Sequence, residues 1–274
     1  MRTVRALAAA LAAIAALLAG CQTVQTTSAG TVGVERTQRM SSMVSEADMR
    51  QQAELAYREV LTTERQKGSL NTDAALTSRV RAIAGRLIPA SAAFRPEAAQ
   101  WKWEVNVIRS DQINAWCMPG GKIAVYTGLI TKLALTDDEI AAVVGHEIAH
   151  ALREHARERA SEQRGAQVLI GGASILLGAG QAGADLVGVF YKAFFGLPNS
   201  RLHESEADRI GVEVAARAGY DPRAAITLWQ KMAKAGGGSG PEFLSTHPSA
   251  ETRLNDLEVY SARVMPLYEQ ARRR

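Results

Sequence analysis

Two histidines and a glutamate at fixed spacing indicate what chemistry this sequence could support. His146 and His150 are four positions apart, and Glu147 directly follows the first of them. Residues four apart lie on one face of a helix, so both imidazoles can bind the same zinc ion. Zinc lowers the pKa of a bound water toward ~7, and Glu147 can reach that water and take its proton. The pattern predicts a hydrolytic zinc site with Glu147 as general base.

A catalytic zinc ion needs a third protein ligand, and an acidic segment downstream offers two candidates. Glu204 and Asp208 are four residues apart, so Glu204 can bind the metal while Asp208 accepts a hydrogen bond from a ligand histidine. Glu206 is a rival ligand, but no acid follows it four residues later. Taken alone, this segment favours the interpretation of a solvated charged face. Together with the histidines, it predicts one Zn²⁺ per chain, bound by His146, His150 and Glu204.

The residues after His150 bear on two other arrangements of the metal ligands. The metzincin pattern requires Gly at 153 and His at 156, whereas this chain has Arg153 and Ala156, so that class is excluded. His155 lies five residues beyond His150, about 140° further round a continuous helix. We therefore expect His155 to point away from the metal and into solvent.

Helices are the main elements that must position these residues. Thr136 can cap a helix whose first turn is acidic, and that helix should run through His150 toward Arg159. A Pro-Gly-Gly turn joins two strand-like runs into a hairpin, with an alternating strand before it. The sequence thus predicts a mainly α-helical α+β fold. Further helices are expected at 45–65, 73–87, 204–218, 222–235 and 248–257, and strands at 101–108, 113–118 and 122–127.

Several ordered motifs resemble the HtpX and CAAX-prenyl-protease type zinc metallopeptidases over roughly residues 50–262. The resemblance implies a zincin-like domain, with a small β-hairpin or sheet beside the active-site helix, that cleaves polypeptides. The family's membrane-spanning helices are missing here, so prenyl-protein processing is not implied. The motifs are His146-Glu147-Ile148-Ala149-His150, Glu204-Ser205-Glu206-Ala207-Asp208, Ser245-Thr246-His247-Pro248 with Arg253, Asn114-Ala115, Pro119-Gly120-Gly121 and Thr127-Gly128-Leu129.

The same resemblance implies roles for four more residues, each with a simpler alternative. Asn114 and Ala115 would contact an extended peptide added to a sheet edge, or serve only the hairpin. His247 would stabilise the oxyanion, or fill the open zinc position and hold the enzyme latent, or be an ordinary loop residue. Arg253 would anchor the His247 loop or bind substrate, or simply lie on a helix surface.

The first residues have the layout of an export signal. Two arginines precede an uncharged apolar run, and the ending Leu18-Ala19-Gly20-Cys21 resembles the bacterial lipobox. An ordinary signal peptide with an incidental cysteine is the alternative. We predict a signal peptide at 1–20, a lipidated Cys21 with a flexible tether over 21–44, and a metallopeptidase domain at 45–274. Gln at position 22 favours an outer-membrane lipoprotein facing the periplasm.

Composition narrows the remaining possibilities. The chain is 47% hydrophobic with a net charge of +4 and has no basic stripe interleaved with aromatics, so nucleic-acid binding is not expected. If Cys21 carries lipid, Cys117 is the one remaining thiol and no internal disulfide can form. The apolar stretch 168–195 is interrupted by glycines, so we expect helices partly covering the site rather than one membrane span.

Three functions are compatible with these sequence features. The first is an endopeptidase of the cell envelope that acts on unfolded or misassembled proteins. The second is a latent assembly factor for outer-membrane proteins that binds extended segments and rarely cleaves them. The third is a structural zinc protein, against which the intact Glu147 counts, since a structural site needs no base beside its ligands.

Overall fold

The computed structural model describes residues 21–176, 186–235, 242–248 and 251–273. The proposed signal peptide and much of the apolar stretch 168–195 lie outside the described residues. Mainly helical architecture with small sheets confirms the expected α+β fold class. The helices are α1 (Glu46–Gln66), α2 (Ala74–Ser91), α3 (Thr127–Lys132), α4 (Asp137–Leu152), α5 (His155–Leu176), α6 (Leu186–Tyr191), α7 (Arg201–Arg217), α8 (Ala224–Ala235), α9 (Glu242–Thr246) and α10 (Glu251–Arg272).

The central helix α4 begins at a complete capping box. The Thr136 side chain accepts a hydrogen bond from the Glu139 backbone N–H, and the Glu139 side chain accepts one from the Thr136 backbone N–H. Almost every residue of α4 is buried, because the helix packs against α2, α7, α8 and a small sheet. The helix that carries the histidine pair therefore lies in the middle of the core.

Helix α4 ends sooner than the sequence predicts. It stops at Leu152, and Glu154 adopts a left-handed backbone conformation with φ of 52°. A separate helix, α5, then starts at His155. The expectation of one continuous helix toward Arg159 is wrong. The direction inferred for His155 assumed that continuous helix, so it is wrong as well. Neither Gly nor Pro marks the break, so sequence pattern alone does not reveal it.

The predicted strands form a three-stranded sheet against α4. Its strands are β3 (Glu104–Ile108), β4 (Ala115–Met118) and β5 (Lys122–Tyr126). The order is β3-β5-β4, with β3 parallel and β4 antiparallel to β5. β4 is thus an edge strand among the described residues, and it packs against α4. The predicted hairpin around Pro119-Gly120-Gly121 is confirmed.

A second, two-stranded sheet lies in the segment expected to be a flexible tether. Strands β1 (Cys21–Val24) and β2 (Gln38–Ser41) pair antiparallel, and β2 packs on α5. Val32, Val34 and Met40 are buried in the core. Burial of these three apolar side chains is the physical reason that the segment folds onto the domain instead of remaining extended. The polar residues around them hide this apolar pattern in the sequence.

Two helix boundaries also differ from the sequence prediction. α2 continues through Pro89 to Ser91, whereas a loop was expected there, and its N-cap is Asp73. The C-terminal helix α10 starts at Glu251 rather than at Pro248 and extends to Arg272. None of the described helices is long and apolar enough to cross a membrane.

Candidate metal centre

Helices α4 and α7 bring the predicted metal ligands together at a close crossing. A Cβ atom added to Gly211 of α7 would lie 2.9 Å from the backbone nitrogen of His146. A Cβ added to Gly145 of α4 would lie 3.0 Å from the Gly211 carbonyl oxygen. The two glycines allow the helix backbones to approach until Glu204 of α7 reaches the histidines of α4.

Four buried side chains converge on one point. His146 Nε2 lies 3.0 Å from His150 Nε2 and 3.5 Å from Glu204 Oε2. The other Glu204 oxygen, Oε1, lies 3.4 Å from His150 Nε2 and 3.0 Å from His247 Nδ1. One donor atom from each of the four residues falls within 4.8 Å of all the others. The structure thus brings together the three predicted ligands and adds His247 to them.

The orientation of the rings fits a cation. His146 Nδ1 faces the Asp208 carboxylate at 3.0 Å and must carry the hydrogen that it donates, which leaves a lone pair on Nε2 of the neutral ring. If His150 likewise donates through Nδ1 to His155, two Nε2 lone pairs face each other at 3.0 Å beside a carboxylate. The two lone pairs and the carboxylate repel one another unless a cation lies between them. Two imidazole nitrogens and a carboxylate oxygen form a donor set suited to zinc, whose charge would remove this repulsion.

The electrostatics of the cluster also favour positive charge at its centre. Burial opposes protonation of His146, but its contacts with Asp208 and Glu204 outweigh burial and raise its pKa to about 9. Burial likewise opposes the charged form of Glu204, yet His247, His146 and His150 hold the pKa of this carboxyl well below its usual range. Glu204 therefore remains a carboxylate that can bind a cation.

Asp208 occupies the supporting position predicted for it. Besides accepting from His146, it accepts hydrogen bonds from Arg253 Nε and Nη2, both at 2.7 Å. Arg253 Nη1 also lies 3.0 Å from Glu204 Oε2, and its guanidinium stacks 3.7 Å from the Trp229 ring centroid. Arg253 is therefore buried beneath the metal ligands and does not line the active-site cavity.

Glu147 has the environment that a general base needs. Its Oε1 atom is buried without a hydrogen-bond partner among the described residues, and His247 Nε2 lies 3.5 Å from it. Burial raises the pKa of Glu147, against the opposing influence of His247 and His146. Its carboxylate opens into a cavity of about 180 Å³ that also reaches His150 and His247. The base and two metal-site histidines thus share one space.

The cavity extends along the edge strand β4. Asn114, Ala115 and Trp116 line it together with Phe194 and Phe195, and the Trp116 and Phe194 rings pack edge to face with their centroids 6.3 Å apart. This part of the apolar stretch 168–195 therefore borders the site, as expected.

His247 reaches the cluster from a short segment after α9. The Asn199 backbone N–H donates to the Thr246 carbonyl at 2.9 Å, and Asn199 Nδ2 lies 3.3 Å from His247 Nδ1. Phe243 stacks on the His247 ring with centroids 4.2 Å apart. Sequence reasoning missed Asn199, which belongs to no motif and is recognisable only by its position.

Two residues near the histidines lie elsewhere than predicted. His155 is fully buried rather than solvated, and its Nδ1 lies 2.8 Å from His150 Nδ1. The break after α4 turns it toward the site. Glu206, the rival ligand, instead contacts His155 and Arg153. It is therefore outside the cluster that could hold a metal.

Comparison with known proteins agrees with this geometry. The sequence model of peptidase family M48 matches residues 72–261. Over 151 residues, 55% of this chain, it is 41% identical to the mitochondrial metalloendopeptidase OMA1 of Arabidopsis thaliana, covering 30% of that protein. Over 211 residues, 74% of this chain, it is 32% identical to the beta-barrel assembly-enhancing protease of Escherichia coli K12, covering 42% of that protein. The chain thus spans less than half the length of either relative.

Proposed function

The chain belongs to peptidase family M48, and from this premise we propose that it is a zinc-dependent endopeptidase of the bacterial cell envelope. One observation carries the proposal: buried Glu147 has a carboxylate oxygen with no hydrogen-bond partner among the described residues, and this oxygen lies beside the converging donor atoms of His146, His150 and Glu204. A purely structural metal site requires no base in a cavity next to its ligands. The family supports peptide-bond hydrolysis as the reaction.

His146, His150 and Glu204 would hold the zinc ion, with Asp208 orienting His146. When bound, zinc polarises a carbonyl group and makes water more acidic. Glu147 accepts one proton of the attacking water, whose oxygen adds to the peptide carbonyl carbon. Glu147 then passes that proton to the amide nitrogen as the C–N bond breaks, which yields a carboxylic acid and an amine; transfer of the acid's proton to the amine leaves a carboxylate and an ammonium group.

The edge strand β4 supports extended polypeptides as substrates. A peptide could pair with the outer edge of β4 at Asn114 and Ala115 and so run past Glu147. The aromatic wall of Trp116, Phe194 and Phe195 favours apolar side chains in the cavity. Unfolded or misassembled envelope proteins expose both extended backbone and apolar side chains, which makes them the proposed substrate class.

A latent assembly factor is the alternative function, and the position of His247 favours it. With Nδ1 at 3.0 Å from Glu204 Oε1, His247 could occupy the position that substrate would need. In an open state the same ring could stabilise an oxyanion. The name of the Escherichia coli relative, a beta-barrel assembly-enhancing protease, fits a link with outer-membrane protein assembly.

For location, we propose export followed by lipid attachment at Cys21. The basic and apolar start of the chain and its lipobox-like ending at residue 21 support this proposal. The lipid would be the membrane contact of the protein and would leave the domain in the periplasm. Labelling of the expressed protein with a fatty-acid analogue, lost in Cys21→Ser, tests this point; equal labelling of both would contradict it.

The decisive experiment compares the parent protein with Glu147→Gln. We expect the parent to cleave unfolded casein and Glu147→Gln to be at least ~10²-fold slower, because the variant lacks the base. Both should contain about one zinc ion per chain, because Glu147 is not among the proposed ligands. Zinc content and cleavage are measured on the same samples.

Each other result has a definite meaning. Equal cleavage by both proteins would contradict the role of Glu147. Zinc in both without cleavage by either would favour the latent alternative, and His247→Ala should then restore cleavage by opening the fourth position. Absence of bound metal in the parent would contradict the proposed mechanism.

A further inference from the structure

A line of buried contacts continues outward from one metal ligand. His150 Nδ1 lies 2.8 Å from His155 Nδ1, and His155 Nε2 lies 3.1 Å from Glu206 Oε2. His155 has no exposed surface, and Glu206 is buried. His146 has a different support, because its outer nitrogen reaches the Asp208 carboxylate directly. The second ligand histidine, His150, thus contacts another histidine, His155, which in turn contacts the Glu206 carboxylate.

Only one arrangement of hydrogens satisfies this line. Metal binding through His150 Nε2 requires the ring hydrogen on Nδ1, which then donates to His155 Nδ1. His155 must accept there, so its own hydrogen lies on Nε2 and is donated to Glu206. Each contact therefore fixes the tautomer of the next ring toward the metal.

Glu206 is in turn held by two arginines. Arg153 Nη2 lies 3.1 Å from each of its oxygens. Arg36 donates from Nε to Oε1 at 2.7 Å and from Nη2 to Oε2 at 3.0 Å. Arg36 also binds both oxygens of Glu158, at 2.6 and 2.9 Å. A planar guanidinium between two carboxylates holds both of them in fixed positions.

Arg36 belongs to the folded segment that contains β1 and β2, ahead of the region matched by the family model at 72–261. Neighbouring hydrogen bonds attach this segment to the same group of buried charged residues. Gln38 Nε2 donates to the Arg153 carbonyl at 2.7 Å and to Glu158 Oε2 at 2.6 Å. The segment therefore contacts the residues that support His150.

We propose that His155 and Arg36 are positioning residues for the metal ligand His150, acting through the contact line Arg36–Glu206–His155–His150. The N-terminal segment is by this reasoning part of the metal-site support and not a tether. The proposal concerns the metal site, and it does not depend on which polypeptide the enzyme cleaves.

A second metal ion at His155, Glu158 and His203 is a competing explanation for this cluster, since their donor atoms also lie within 4.8 Å of one another. The Arg36 guanidinium argues against it, because it already occupies both Glu158 oxygens. His155 has both nitrogens engaged as well, by His150 and Glu206. The cluster is better explained as a support than as a site.

The test measures zinc affinity by chelator competition on the parent and three variants. His155→Phe keeps a ring of similar size without the acceptor nitrogen, and we expect about 10- to 100-fold weaker zinc binding. His155→Asn places an acceptor oxygen near the position of Nδ1 and should recover much of that loss. Arg36→Gln acts two contacts further away, and we expect a loss of roughly 3- to 10-fold.

Arg39→Gln is the matched control, since Arg39 lies exposed on the same segment. Its zinc affinity should equal that of the parent. Melting of each metal-free protein separates positioning from stability: a merely structural role would lower the melting temperature and leave affinity unchanged. A Co²⁺-substituted sample of each variant adds an absorption spectrum that reports ligand geometry directly.

The proposal is overturned if His155→Phe and Arg36→Gln both bind zinc within about twofold of Arg39→Gln. It is also overturned if His155→Asn is as weak as His155→Phe, because restoring the acceptor would then have no effect. Should His155→Phe not fold, Arg36→Gln decides, since the Arg36 side chain is 26% exposed and its replacement removes no apolar core side chain. Tight zinc binding by a parent that cleaves nothing would count against the proposed function and not against this inference.

Discussion

The metal-binding side chains depend on the charges behind them as much as on their own identity. Asp208 binds His146 on one side and Arg253 on the other. Burial opposes its charge, but Arg253 and His146 keep the pKa of Asp208 below its usual range. The carboxylate therefore stays ionised and fixes the hydrogen of His146 on the nitrogen that faces away from the metal.

Asp208→Asn should weaken zinc binding by about 10- to 100-fold. The amide no longer offers a charged acceptor to His146, and Arg253 is left with Glu204 as its carboxylate partner, which draws Glu204 away from the metal. Zinc affinity measured by chelator competition tests this.

The control is Arg209→Gln on the next position of α7, whose side chain binds Asp256 away from the cluster. Unchanged affinity in Asp208→Asn, or an equal loss in Arg209→Gln, would contradict the role assigned to Asp208.

At the scale of elements, the crossing of α4 and α7 decides whether Glu204 can meet the histidines. Gly145 and Gly211 face each other there, and neither has room for a methyl group without displacing the backbone opposite. Both glycines fall within helices, where glycine is normally unfavourable. The free-energy cost of a glycine within each helix is offset because the two glycines let α4 and α7, which carry the site, pack closely together.

Gly211→Ala should destabilise the protein by about 1–3 kcal/mol, because the added methyl collides with the backbone of His146. It should also weaken zinc binding, since α7 must move away with Glu204. Chemical denaturation and chelator competition measure the two effects.

Gly85→Ala provides the comparison, because Gly85 lies inside α2 and an added Cβ meets nothing within 4 Å. That substitution should stabilise the protein by roughly 0.5–1 kcal/mol. If both variants changed stability in the same direction, the crossing would not be the close contact described.

At the scale of the whole molecule, a buried ionic layer joins the N-terminal segment to α5 and α7. Glu158 lies at its centre and accepts hydrogen bonds from Arg36 and Gln38, with His203 Nε2 at 3.1 Å. Burial alone would raise the pKa of Glu158, but these partners hold it well below its usual range. Since the folded-state pKa is depressed, the stabilisation is present above the unfolded value of ~4.3 and is lost as the pH falls through the folded value.

Glu158→Gln should lower the free energy of unfolding at pH 7 by about 3 kcal/mol, because it removes one of the two buried carboxylates that pair with Arg36. It should also reduce the further loss of stability between neutral pH and about pH 3, since the titrating group is gone. Urea unfolding of the metal-free protein at both pH values measures this without interference from zinc release.

Glu258→Gln, on the exposed face of α10, should keep the full acid sensitivity of the parent. An identical decline toward low pH in Glu158→Gln and the parent would show that this layer does not govern acid stability.

Much of the fold and the predicted ligand set follow from local patterns in the sequence. Spacing of four along a helix puts His146 and His150 on one face, and Thr136 with Glu139 sets where that helix begins. The strand alternation and the Pro-Gly-Gly turn predict the sheet. Each of these signals depends on neighbours within a few residues, and such signals can be read without a structure.

The features that local patterns do not predict depend on contacts between residues far apart in the chain. The left-handed turn at Glu154 reverses the direction of His155, and no glycine or proline announces it. The ionic layer that accepts Arg36 is assembled from three segments far apart in the chain, so a stretch of polar composition packs against buried charges. Local pattern determines which side chains share a helix face, whereas the packing of whole elements determines which buried charges need partners and where they find them.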